Sequence, residues 1–276
     1  MDYVFYYIEA HVACFFILAL IYYKIVKAVN KQASSIYIAR LIGILMLYFV
    51  AEIFWALVDG QVIKYSITLI YLSNIFTYIL ITMVTYNWFI VSESLQGDGI
   101  VEDRKKRRLV FIPVIISAVL CITAFWTGLL YYVDDSGTLV NGRFYVILVI
   151  IPFGYMIASS IKAFSRFANK DKYAERGIYL MIGIFPFAPI VCGILQASFW
   201  RVPFLCYGAV VAVLYVYTTI QDNMISIDPL TQTNNRNQMY KFLIKKMRNE
   251  ESGMSLFLLM VDVDKLRTIN DAFGHT

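Results

Sequence analysis

Long apolar runs separated by short polar connections occupy most of the chain. Seven of these runs are about 20 residues long, which is the length that a helix needs to cross the hydrocarbon core of a bilayer. The pattern therefore predicts an all-α membrane bundle of seven transmembrane helices over residues 1–220. The seven runs cover residues 3–23, 37–58, 66–91, 109–131, 144–165, 178–199 and 203–220.

The sixth run contains the stretch FPFAP at residues 185–189. Proline lacks the backbone N–H and clashes with the preceding helical turn, and membrane bundles tolerate such interruptions when neighbouring helices cover them. We therefore predict a kink or a locally unwound turn in the sixth helix.

The composition agrees with a membrane protein. Hydrophobic residues make up 60% of the chain and charged residues only 16%, whereas a soluble domain has roughly 25% charged residues. The four cysteines lie in apolar runs and lack the C-x-x-C spacing of metal or redox motifs, so we expect small buried side chains. These are Cys14, Cys121, Cys192 and Cys206.

The net charge of +5 comes from basic residues that cluster in alternate connections. The connections after the first, third and fifth runs hold fourteen lysines and arginines, against Lys64, Arg143 and Arg201 in the others. The positive-inside rule then predicts an external N-terminus and a cytoplasmic segment after residue 220. The densest cluster, EDRKKRR at residues 102–108, predicts a solvated loop against the inner leaflet and no nucleic-acid partner.

After residue 220 the sequence becomes polar and the spacing of apolar residues changes. A helical linker at 221–227 would lead to an amphipathic helix carrying Met239, Phe242, Leu243 and Met247. The apolar run MSLFLLMVDV at 254–263 is too short to span a bilayer and predicts a buried β-strand. The stretch KLRTINDAF, residues 265–273, predicts the start of a further helix. Residues 228–276 thus indicate an incomplete α/β domain.

Two acidic residues, Asp262 and Asp264, stand at the carboxyl end of the predicted strand. Strand alternation places both side chains on one face, and ligands of open α/β folds bind beyond the carboxyl ends of strands. With Lys265 and Arg267 close in sequence, the two carboxylates suit a magnesium–phosphate ligand. The alternative is that these acids are solvated and cap the next helix.

Two motif blocks carry a family resemblance. DPLTQTNNR at 228–236 and LLMVDVDKLRTINDAFGHT at 258–276 resemble the opening half of a GGDEF domain, the diguanylate cyclase family, with its patterns D-x-L-T-G-L-x-N-R-R and D-x-D-x-F-K-x-I-N-D-x-x-G-H. The departures from these patterns are Gln232, Thr233, Asn237, Leu266 and Arg267. The matching residues are Asp228, Leu230, Thr231, Asn235, Arg236, Asp262, Asp264, Ile269, Asn270, Asp271, Gly274 and His275.

The resemblance implies GTP as substrate, Mg²⁺ as cofactor and a homodimer that joins two GTP molecules into cyclic di-GMP. It implies that Asp262 and the Val263 carbonyl bind the metal, and that Asn270 hydrogen-bonds the guanine base. Arg267 would contact a phosphate in place of a lysine, which exchanges a point charge for a planar fork. Leu266 would replace a phenylalanine near the nucleotide.

The G-G-D-E-F hairpin of the family does not occur within these 276 residues. Because phosphoryl-type transfer depends on positioning and on charge neutralisation by metal, we expect no complete catalytic set and no cyclic di-GMP synthesis from this chain alone. The sequence is interpreted as the sensor half of a diguanylate cyclase in the bacterial inner membrane. The alternative is a non-enzymatic receptor or transporter whose degenerate cytoplasmic tail dimerises or binds nucleotide.

Polar residues inside the apolar runs are costly and are therefore candidates for function. Glu52, Trp55 and Asp59 form one helical stripe, and Glu9 and His11 lie in the outer part of the first run. An unknown extracellular or membrane ligand could reach these positions. The alternative is hydrogen bonding between helices that only holds the bundle together. A further polar stripe, in the third run, contains Asn74, Thr77, Tyr78, Thr82 and Thr85.

Overall fold

The computed structural model describes two compact units, Met1–Ile225 and Ser226–Thr276. The described residues of the first unit are 2–27, 33–64, 66–97, 99–134, 139–169, 176–199 and 202–224. Those of the second unit are 231, 233, 239, 243, 257–262, 264–265, 267, 271 and 274.

Eight helices and one small hairpin make up the described part of the first unit. Seven helical segments are long and apolar enough to cross a membrane, with α6 and α7 together forming the sixth, so the number and places of the predicted helices are confirmed. The elements are α1 (Asp2–Lys27), α2 (Ala33–Asp59), α3 (Ile67–Leu95), α4 (Arg104–Thr127), β1 (Tyr131–Val133), β2 (Leu139–Asn141), α5 (Ile147–Ala168), α6 (Arg176–Ile184), α7 (Phe187–Ser198) and α8 (Phe204–Met224).

Short connections make consecutive spans run in opposite directions. The bundle therefore has two ends. The hairpin end is where β1 and β2 connect α4 to α5, and the basic end is the opposite one, where α4 begins at Arg104. Helix α4 begins after Asp103, whose Oδ1 accepts the backbone N–H of Lys105 at 2.8 Å and so caps the first turn.

The hairpin between α4 and α5 was not predicted from the sequence. Gly128 ends α4 with a φ of 60°, a left-handed conformation that glycine adopts without strain. Beyond it, β1 pairs antiparallel with β2, with Tyr131 opposite Asn141. The Tyr131 hydroxyl donates to the Cys121 carbonyl at 3.2 Å, and the backbone N–H of Val133 donates to the Tyr71 hydroxyl at 3.2 Å. Burial raises the pKa of Tyr131 well above its ordinary value. These bonds attach the hairpin to α3 and α4.

The largest core cluster draws buried residues from α1, α2, α3, α5, α6 and α8. The outer faces of the helices are apolar too. Leu18, Phe49 and Trp88 are fully buried at the centre of the largest cluster. On α4, Ile112 and Ile116 point away from the bundle and are about half exposed. A helix that is apolar all round fits a lipid environment.

The free cysteines behave largely as the composition suggests. Cys14, Cys121 and Cys206 are buried, and Cys192 is half-buried. The prediction of small buried side chains is therefore confirmed for three of the four.

The predicted interruption of the sixth span is confirmed, and it lies at Phe185 and Pro186, between α6 and α7. The indole ring of Trp88 stacks on Phe185 with centroids 3.4 Å apart, and its Nε1 donates to the Ser159 hydroxyl at 3.1 Å. Helix α6 packs mainly on α5, whereas α7 packs mainly on α8. The two pieces of one span therefore have different neighbours.

In the second unit, the prediction of a buried strand is wrong for residues 257–262. This segment is neither helix nor strand, and the side chains from Phe257 to Val261 are 67–89% exposed. A buried parallel strand needs a paired strand on each side, and no strand is paired with this segment among the described residues. Met239, Leu243, Arg267 and Asp271 are helical, in agreement with the two predicted helices.

Candidate functional site

A buried carboxylate lies between α1 and α2 near the hairpin end. Glu52 is only 6% exposed, and the Tyr7 hydroxyl donates a hydrogen bond to its Oε2. The two residues meet because α1 starts and α2 ends at the same end of the bundle. No lysine or arginine among the described residues forms an ion pair with Glu52.

Aromatic rings surround this carboxylate. The Tyr7 ring stacks on His11 at 4.5 Å between centroids and tilts against Trp55 at 5.8 Å, while His11 meets the edge of Phe49 at 5.4 Å. The Nδ1 of His11 lies 2.8 Å from the Tyr7 carbonyl, and because a carbonyl only accepts, Nδ1 is assigned as the donor. Tyr7, His11, Phe49, Glu52 and Trp55 are named the Glu52 cluster.

The other two acidic residues singled out in α1 and α2 lie outside the Glu52 cluster. Asp59 is exposed at the end of α2, where its Oδ2 accepts from the Tyr3 hydroxyl at 3.2 Å. Glu9 is exposed, because two residues along a helix turn the side chain about 200° away from Tyr7. His11, Glu52 and Trp55 are thus brought together, and Asp59 and Glu9 are not part of that cluster.

The polar stripe of α3 bonds chiefly to its own helix. Asn74 donates to the Ile70 carbonyl at 2.8 Å, and Thr85 donates to the Thr82 carbonyl at 3.0 Å. The Thr82 hydroxyl also lies 3.4 Å from that of Ser117 on α4. Such back-bonding satisfies polar side chains inside an apolar helix without a ligand.

A second buried carboxylate, Glu93, was missed by the sequence reasoning. Its side chain is 0% exposed, and Lys162 of α5 donates to Oε1 at 2.7 Å and to Oε2 at 2.6 Å. One turn away, Arg166 donates to the Gln96 carbonyl at 2.7 Å. The available signal was a glutamate at the end of the apolar run NWFIVSESL, but Lys162 had been counted only as a charge that orients the chain.

The two carboxylates can do different chemistry. Glu93 is neutralised by Lys162, so its site is a link between α3 and α5. Glu52 has a phenol donor and aromatic faces but no cationic partner in the described part of the chain. A desolvated carboxylate among ring faces is suited to hold a proton or an external cation.

The acidic pair of the second unit lies at a turn. Asp262 is exposed, and Asp264 and Lys265 form the turn, with a φ of 57° at Lys265. Arg267 follows as an exposed helical residue. The remaining nucleotide-site predictions, Val263, Leu266 and Asn270, lie outside the described residues.

The carboxylates at this turn are ligands of the type that binds magnesium. Mg²⁺ binds through one or two carboxylates and takes its other ligands from phosphate and water, and Asp262 and Asp264 offer two such groups. A group of three or more His, Cys, Asp or Glu residues that could hold a metal ion does not occur within the described ranges. Within the described residues, Asp262 and Asp264 would therefore need further oxygen ligands to complete a magnesium site.

Comparison with known proteins identifies one segment. Residues 225–276 match the family model described as diguanylate cyclase, GGDEF domain. The resemblance found in the two motif blocks is thereby confirmed for the segment that follows α8. No curated protein and no solved structure matches the chain.

Proposed function

We propose that this chain is the membrane-embedded input region of a signal-sensing diguanylate cyclase, followed by the opening part of the cyclase domain. The observation that carries the proposal is the GGDEF match at residues 225–276 directly after seven apolar helices. The expected reaction converts two GTP molecules into cyclic di-GMP. The residues up to 276 contain no G-G-D-E-F sequence, so this chain alone is expected to form no product.

The proposed location is the bacterial inner membrane, with the hairpin end outside and the basic end in the cytoplasm. The alternation of basic connections supports this orientation, because lysine and arginine accumulate on the cytoplasmic side. GTP and Mg²⁺ are cytoplasmic, so the same orientation places the matched segment with its substrate.

The proposed nucleotide site combines residues of the matched segment. Asp262 and the Val263 carbonyl would hold Mg²⁺, which supplies neutralisation of phosphate charge when bound. The Arg267 guanidinium would donate to a phosphate, and the Asn270 amide would hydrogen-bond guanine. Leu266 would pack beside the nucleotide.

Signal transmission is proposed to run through α8 and a helical linker at 221–227. Helix α8 extends to Met224 and the family match begins at residue 225, which supports a short connection. Two GTP-loaded domains must meet to join their nucleotides, so a homodimer is proposed, with its geometry as the controlled quantity. Inserting two residues after Asp222 is expected to uncouple the stimulus from synthesis while leaving basal synthesis intact.

The first experiment measures cyclic di-GMP in membranes that carry the product of the complete gene, supplied with GTP and Mg²⁺. Product should form from the unaltered protein and fall to background in Asp262→Ala. Glu250→Ala, a carboxylate change in the same unit but outside both motif blocks, is the matched control and should keep full activity. Equal product from Asp262→Ala would remove Asp262 from the metal site.

The Glu52 cluster is the proposed input site, for an external or membrane ligand of cationic character. Choline is a suitable probe, because quaternary ammonium groups bind to aromatic faces. A change in cyclic di-GMP output on adding external choline should vanish in Glu52→Gln and persist in Glu9→Gln, since Glu9 is exposed outside the cluster. Persistence in both variants would leave the cluster with a purely structural role.

A second candidate function is a receptor or transporter without cyclase activity. The buried Glu52 carboxylate favours this candidate, because ligand binding there would not require the second unit. Choline binding to the chain, lost in Glu52→Gln, together with an absence of cyclic di-GMP from the complete gene product, would support this candidate over the cyclase.

A further inference from the structure

An apolar groove opens between α4 and α5, away from the Glu52 cluster. Its volume is about 340 Å³, within the usual range of ligand pockets. Phe89 of α3 forms the floor, Val110 and Pro113 form one wall, and Gly154 and Ala158 belong to the other.

The sequence explains why the groove exists. Helix α3 contacts both α4 and α5 extensively, whereas α4 and α5 contact each other only lightly. Gly154 has no side chain, and a Cβ added there would meet no atom within 4 Å. The Tyr155 hydroxyl bridges the two helices by donating to the Val110 carbonyl at 2.5 Å. The two helices are thus joined at one point and separated beside it.

Cations lie about one helical turn beyond the groove, toward the basic end. Lys106 lies four residues before Val110 and seven before Pro113, so the three share one face of α4. Arg107 lies three residues before Val110, so its side chain is beside this face of α4. On α5, Lys162 follows Ala158 by four residues. Its side chain is 31% exposed while its ammonium group contacts Glu93.

The first turn of α4 carries more positive than negative charge. Five consecutive cations, Arg104 to Arg108, repel one another and oppose the positive end of the helix dipole. Asp103 provides one negative charge there through its contact with the Lys105 and Lys106 backbone N–H groups. A phosphate beside Lys106 would reduce both costs, and it would stand where the apolar groove begins.

We propose that the groove and its basic mouth bind an anionic phospholipid. One acyl chain would lie along Val110, Pro113 and Gly154, and the phosphate would contact Lys106, with Arg107 and Lys162 nearby. Basic pockets between spans at the cytoplasmic side bind anionic headgroups in this way. The inference goes beyond the proposed cyclase function and requires only that α4 and α5 lie in a bilayer.

The experiment measures lipid retained by the purified chain after exposure to vesicles of equal phosphatidylglycerol and phosphatidylcholine, counted by native mass spectrometry. Lys106→Gln/Arg107→Gln should lower retained phosphatidylglycerol roughly 10- to 30-fold, since each cation near the surface contributes about 1 kcal/mol. Arg104→Gln/Arg108→Gln removes the same charge from the opposite side of α4 and should change retention less than about threefold. Equal losses in the two double variants would overturn the site in favour of general surface charge.

The groove itself is tested by Gly154→Leu, which places a side chain in the acyl-chain position. Retention should fall several-fold, whereas Gly177→Leu, at a second glycine with open space around its Cβ, should leave it unchanged. Helical content and melting temperature confirm that each variant folds. Unchanged retention in Gly154→Leu, or equal retention of phosphatidylcholine and phosphatidylglycerol, would overturn the proposal. No GTP is involved, so the outcome is independent of cyclase activity.

Discussion

Glu52 and Glu93 stand at opposite ends of the same bundle, and each is a carboxylate almost wholly removed from solvent. Glu93 meets the ammonium group of Lys162 with both oxygens. Glu52 meets the hydroxyl of Tyr7 and the rings around it. The basic end is therefore held partly by a charged pair, and the hairpin end by a tyrosine–carboxylate hydrogen bond and aromatic packing.

This difference separates a structural role from a functional one. Burying a carboxylate is costly, and a partner of opposite charge offsets the cost only when the geometry is good. Glu93 has that partner, so its presence in an apolar helix is explained by the fold. Glu52 lacks a cationic partner among the described residues, so its burial is the stronger reason to assign a ligand.

The largest effect is expected from Lys162→Met, which removes the ammonium group that contacts the buried Glu93 carboxylate. The free energy of unfolding should fall by about 3 kcal/mol, at the low end for a broken buried pair because Lys162 is partly exposed. Denaturation of the detergent-solubilised chain, followed by helical content, measures the change.

The matched control is the double variant Glu93→Leu/Lys162→Met, which removes both charges. An apolar pair of similar volume is often neutral or stabilising in place of a buried ion pair, so stability should return to within about 1 kcal/mol of the original. A double variant as unstable as Lys162→Met would show that the loss came from packing rather than from removal of the ammonium group beside the carboxylate.

A smaller effect should distinguish the two glutamates directly. Glu93→Gln breaks a charge-assisted contact with Lys162 and should cost about 2 kcal/mol, while Glu52→Gln keeps a hydrogen-bond acceptor for Tyr7 and should cost about 1 kcal/mol or less. The measurement is the same denaturation curve. If Glu52→Gln were the more damaging change, the contrast between a carboxylate with a cationic partner and one without would be wrong.

The smallest effect concerns pH at the hairpin end. Burial raises the pKa of Tyr131 above the 10.0 of a free tyrosine, so the folded chain keeps this hydroxyl neutral where the unfolded chain ionises. Its stabilisation is complete below about pH 10 and is lost progressively as the pH rises above that value. Between pH 9 and pH 11 the melting temperature of the original chain should fall further than that of Tyr131→Phe. Identical slopes would contradict the assignment.

The long helices could be predicted from the sequence because their signal is local. Twenty apolar residues suffice to indicate a span, and FPFAP indicated the break after Ile184 without knowledge of any neighbour. Helical geometry alone also shows that Glu9 and His11 face different sides of α1, since two residues along a helix turn a side chain by about 200°.

The remaining features depend on contacts between distant residues. The Glu93–Lys162 pair joins positions 69 residues apart, and the hairpin strands are three residues each, too short for a periodic signal. The apolar residues at 257–262 predict a strand. A strand forms only when it pairs with another strand, and the sequence of the run does not specify that partner. The Glu52 cluster was predicted only in part, because the sequence indicated Glu52 but not its hydrogen-bond partner Tyr7.

The interruption at Phe185 and Pro186 has a mechanical consequence. Helix α6 is attached to α5 and α7 to α8, and Gly208 of α8 approaches α7 so closely that an added Cβ would lie 2.7 Å from the Ala188 carbonyl oxygen. Two half-helices that meet without a continuous hydrogen-bond ladder form a joint. A change in the angle at Pro186 would therefore shift α7, with the α8 helix on which it packs, relative to α5, and in the sequence α8 directly precedes the GGDEF segment.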